Sequence, residues 1–126
     1  MMNIKWLKPF FIVCGLYDGI LAMAFIIAGP RIFEWFDVIP PNHPAYIQFS
    51  AFLLLIFAVM FFRIATDPVK HRELIPYGIG LKISYCSIAF WYEFTSEIAD
   101  MWMPWAWADL IFLVLLIIAW NKTATR

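Results

Sequence analysis

The chain has 126 residues, of which 64% are hydrophobic, 20% aromatic and only 14% charged, and its formal net charge is zero. Soluble domains are roughly half apolar and about a quarter charged. A mean hydropathy of +0.80 therefore excludes an ordinary water-soluble fold, and the chain offers no basic face for nucleic acid.

Four apolar stretches, at about 9–29, 45–62, 74–94 and 104–120, have a length near the ~20 residues that cross a bilayer. They predict an all-α, polytopic membrane protein, residues 1–126 forming a single up-down-up-down four-transmembrane-helix bundle. Lys5, Lys8, Arg63, Lys70, Arg72, Lys122 and Arg126 would share one side of the membrane, against Arg31 alone on the other. That bias predicts a multi-pass protein with both termini cytoplasmic.

The opening segment places Trp6 at the inner interface, its lysines among headgroups. Its basic start and Ala22-Met23-Ala24 resemble a signal peptide, but Asp18 interrupts the apolar run, so the segment reads as retained. In span one, Gly15 and Gly19 have the small-xxx-small spacing that permits close helix approach and offers one face for a dimer. Asp18 shares a stripe with Cys14, Ala22 and Phe25 and is expected to face the bundle. Gly29-Pro30 is expected to stop the helix. Phe33, Trp35 and Phe36 then suggest a short interfacial segment.

Asn42 is a candidate cap for span two, with Pro44 in the first turn. Residues 45–62 carry no charge, which predicts the most lipid-exposed span. Asp67-Pro68 begins a turn, and the bases around His71 read as headgroup contacts. Pro76 suits the first turn of span three. Cys14 and Cys86 would lie about 9 Å apart in depth at ~1.5 Å per residue, so no disulfide is expected.

Span three carries Lys82 near its middle, with Tyr85, Cys86, Ala89 and Glu93 on the same face. A cation there is costly in hydrocarbon and calls for a buried partner or a wet cavity. Asp18 in span one and Asp109 in span four are the candidates. The predicted binding site is an intramembrane polar cluster of Asp18, Lys82, Tyr85 and Asp109. An ion pair that merely sets helix register is the competing reading.

Trp102, Trp105 and Trp107 suggest an outer aromatic belt, and Trp120 an inner one. The outer edge also gathers His43, Glu93, Glu97 and Asp100, weak candidates for a metal site because they lack tight ligand spacing. Carboxylates near a helix C-terminus oppose its dipole, which singles out Glu93 for a specific partner.

Tyr17-Asp18-Gly19, Asn42-His43-Pro44, Asp67-Pro68, Gly80-Leu81-Lys82 and Trp107-Ala108-Asp109 together resemble small four-helix bacterial inner-membrane proteins of the DoxX-like kind. The resemblance covers most of the chain through short motifs. It implies a four-helix bundle and, for some members, thiol or thiosulfate redox chemistry that passes electrons to quinone.

Catalytic triads, glycine-rich phosphate loops and CxxC pairs are absent from the sequence. The leading expectation is a non-enzymatic membrane protein that binds a lipid-like or small amphipathic ligand, or an accessory subunit of a membrane complex. A quinone-linked redox subunit is the first alternative and a dimeric carrier or proton-coupled transporter the second. Expected partners are membrane lipids, a small amphipathic ligand or quinone, and a homo-oligomer or larger complex. No particular cofactor is implied by the residues themselves.

Overall fold

In lipid every backbone N–H and C=O must be satisfied within its own segment, and continuous apolar runs therefore fold as helices. A computed structural model describes residues 5–96 and 100–124. It contains four long helices: α1 (Leu7–Trp35), α2 (Ala45–Thr66), α3 (Ile75–Thr95) and α4 (Met103–Lys122). Short 3-10 turns, Arg72–Leu74 and Asp100–Trp102, lead into α3 and α4, and no strand occurs among the described residues. The helices belong to two compact units, Lys8–Thr66 and a second made of Met1–Leu7 with Asp67–Arg126.

Three helices, α1, α2 and α4, are long and apolar enough to cross a membrane. Four had been expected. The difference lies in α3, whose 21 residues carry Lys82, Ser84, Ser87 and three tyrosines.

In the first unit, Gly29-Pro30 does not end α1. Ala28 adopts φ −127° and ψ 25°, and the helix resumes beyond this kink to Trp35. Pro30 lacks the N–H that would bond the carbonyl four residues back, and its ring crowds that carbonyl, which accounts for the bend. The resumed turn rotates Phe33 inward, edge-on to Phe25 at 6.2 Å, and leaves Trp35 and Phe36 exposed. The helix closes on a Schellman arrangement. Asp37 lies at φ 56° and donates its N–H to the Glu34 carbonyl, while Val38 donates to Phe33.

Helix α2 is capped by His43, whose Nδ1 accepts the Ala45 N–H at 3.1 Å, and not by the expected Asn42. Over its apolar stretch it is the least buried of the three apolar helices, as the lack of charge in residues 45–62 predicts. The α1–α2 packing uses the two glycines, so that face is already taken up within the chain. A Cβ on Gly15 would fall 2.8 Å from the Phe62 ring, whereas one on Gly19 would meet only the Ala58 Cβ at 3.5 Å.

Gly15→Ala is expected to cost about 1 kcal/mol, the low end for overpacking, since the half-exposed Phe62 can swing aside. Gly19→Ala should be neutral, or stabilising by up to about 1 kcal/mol through helix propensity. Unfolding by SDS titration in mixed micelles distinguishes the two, and equal loss in both would refute the packing.

Candidate functional site

The second unit is built on α3 and α4. The buried stripe of α3 is Ile75, Gly78, Lys82, Cys86 and Ala89; that of α4 is Ala106, Asp109, Leu116 and Ala119. Glycine and alanines on both stripes let the backbones approach closely, the usual packing solution in lipid. Pro76 and Pro104 occupy the first turns of their helices, where the missing N–H costs nothing.

At the centre of this seam Lys82 Nζ donates to Asp109 Oδ1 at 3.1 Å, with Lys82 1% and Asp109 7% exposed. The Phe112 ring centroid lies 5.3 Å from the ammonium, so one face of α4 supplies both an anion and a π surface. Lys82 and Asp109 thus meet, as their sequence positions suggested. Tyr85, expected in the same cluster, lies one turn along α3 and is engaged elsewhere. Its hydroxyl donates to the Trp102 carbonyl at 2.7 Å and ties α3 to the turn that starts α4. The Cys86 thiol points the same way and donates to the Ala106 carbonyl at 3.6 Å; both cysteines are buried and neither forms a disulfide.

Asp18 is buried on α1, with Cys14, Ala22 and Phe25, in the other unit. Among the described residues no three His, Cys, Asp or Glu side chains gather. His43 Nδ1 is committed to the α2 cap, and Glu93 is exposed on the last turn of α3. Glu97 and the Asp100 side chain lie outside the described residues.

Sequence reasoning missed the role of Arg72, which had been read as a headgroup contact. Its guanidinium lies 3.5 Å from the Trp120 ring centroid. Nη2 donates to the Trp120 carbonyl at 2.9 Å and Nε to Thr123 Oγ1 at 3.2 Å, while Thr123 donates back to Ala119. A cation here satisfies a carbonyl left over at the α4 C-terminus and favours the helix dipole. The signal was available: in an up-down pair, the start of α3 and the end of α4 share one level.

The distribution of polarity is the reverse of that in a soluble protein. Lys82, Asp109 and Asp18 are buried, while Ile27, Phe49, Ile56, Ile88 and Ile111 are each more than half exposed. In water such a surface would aggregate; in lipid it faces its own solvent. Exposed hydroxyls fit the same medium. Ser50, Ser84 and Thr95 each donate to the carbonyl four residues back, and Ser87 to that of Ser84, so none needs water.

These features define a small helical membrane protein. No family model, curated protein or solved structure matches the chain.

Proposed function

We propose that all four helices span the membrane, with both termini on the cytoplasmic side, and that the protein is a non-enzymatic binder of a small amphipathic or lipid-like ligand. The recognition groups in this reading are Lys82 and Asp109. Helix α3 supports the fourth span. Its 21 residues extend about 31 Å at ~1.5 Å each, matching a hydrocarbon core of about 30 Å. Ile83, Ile88 and Trp91 are exposed along it. Orientation rests on the seven basic residues assigned to one side.

The observation that carries the ligand reading is the buried 3.1 Å ion pair on a seam otherwise lined by apolar and small residues. A buried pair contributes little net stability against apolar replacements, which favours a role beyond holding the helices together.

Native mass spectrometry of the gently solubilised protein tests this reading. A co-purifying small amphipathic molecule is expected on the wild type and should be absent from Lys82→Met/Asp109→Leu. The same adducts on both proteins, or none on either, would refute it.

A further inference from the structure

Where the end of α3 meets the start of α4, the surface folds into an open cleft of about 490 Å³ lined by Phe90, Glu93, Phe94, Met103, Pro104 and Trp107. That volume lies within the small-molecule range of ~300–1,000 Å³. Phe90 and Trp107 pack edge to face, their ring centroids 4.9 Å apart and their planes inclined at 71°, and form one continuous aromatic wall. Phe90, Glu93 and Phe94 occupy one face of the last turns of α3, so a single carboxylate stands among aromatic rings. Glu93 is exposed, and no basic residue occurs in the sequence between Lys82 and Lys122. Lys82 itself is paired with Asp109.

We infer that this cleft binds a substituted organic ammonium, its cationic centre against Glu93 and its alkyl or aryl groups on the rings of Phe90, Phe94 and Trp107. An inorganic cation does not suit the lining. Hard ions need several oxygen ligands, and among the described residues the cleft offers one carboxylate among hydrocarbon and ring surfaces. A quaternary ammonium has the opposite needs: diffuse charge, no donors to satisfy, and attraction to aromatic faces. The site is separate from the Lys82–Asp109 pair, and the inference does not rest on the function proposed above.

The test uses the full chain in dodecyl maltoside, a detergent without charge or amine. Benzyltrimethylammonium titrated calorimetrically is expected to bind saturably. Glu93→Gln and Trp107→Leu should each weaken binding about tenfold or more, whereas Trp107→Phe retains most of it. Glu73→Gln, in the α2–α3 connection, should leave it unchanged. Neopentylbenzene, the uncharged carbon isostere, should bind far more weakly. Phosphatidylcholine added to the micelles assigns the source of the ammonium: competition indicates a lipid headgroup, and its absence indicates a free amine. No saturable binding, equal affinity in Glu93→Gln, or equal binding of the uncharged isostere would overturn the inference.

Discussion

Lys82→Met is expected to destabilise the protein by about 3–5 kcal/mol, because it leaves the Asp109 carboxylate buried without its cation. Asp109→Leu should cost a comparable amount by orphaning the ammonium. The double variant, which replaces both charges by apolar groups, should recover most of the loss. The reason is the asymmetry of buried pairs: desolvation of two ions nearly cancels their attraction, whereas one ion alone keeps the full penalty. In lipid the alternative to pairing is an ion in hydrocarbon, or a neutralised one with an unmatched hydrogen bond. Unfolding by SDS titration in mixed micelles, read by circular dichroism, checks all three proteins. Additive losses in the double variant would show that the 3.1 Å contact carries no coupling.

Arg72 offers the second large effect. Arg72→Ala removes two hydrogen bonds, one guanidinium–indole stack and a cation at the α4 C-terminus. Charged hydrogen bonds contribute about 1.5–3 kcal/mol each and an exposed cation–π contact about 0.5–1, with incomplete additivity. A loss of about 2–3 kcal/mol is therefore expected. Arg72→Lys should recover less than half of it, because an ammonium cannot stack flat on Trp120 while donating in a fork. Full recovery by lysine would reduce the contact to simple charge at a helix end. Hydrogen exchange offers an independent reading, with faster exchange expected in the last turn of α4.

Much of the architecture was legible because lipid leaves the backbone few choices. Long apolar runs become helices, Pro76 and Pro104 mark where two of them begin, and the uncharged second run becomes the most exposed. The pairing of Lys82 with Asp109 was legible for a similar reason, since an ion within an apolar stretch needs a counter-ion and few were on offer.

What escaped is short-range geometry. Gly29-Pro30 reads as a stop, yet a proline removes only one hydrogen bond, and Phe33 packing on Phe25 carries α1 past the kink. Asn42 reads as a cap, but the turn brings the His43 ring nitrogen to the Ala45 N–H first. Tyr85 shares the face of Lys82, yet its phenol extends to the Trp102 carbonyl. Arg72 resembles any loop base until α3 and α4 are placed side by side. Each outcome turns on an ångström or two, finer than residue spacing alone conveys.

The central claim is that lipid surrounds these helices while the Lys82–Asp109 seam is closed to it. Nitroxide scanning along α3, in a Cys14→Ala/Cys86→Ala background reconstituted in bilayers, tests it most directly. Labels at Ile83, Ile88 and Trp91 should collide readily with oxygen and hardly at all with a polar nickel chelate. Labels at Gly78 and Ala89 should be shielded from both. Nickel access at Ile83 and Ile88 would place that helix face in water and contradict the account.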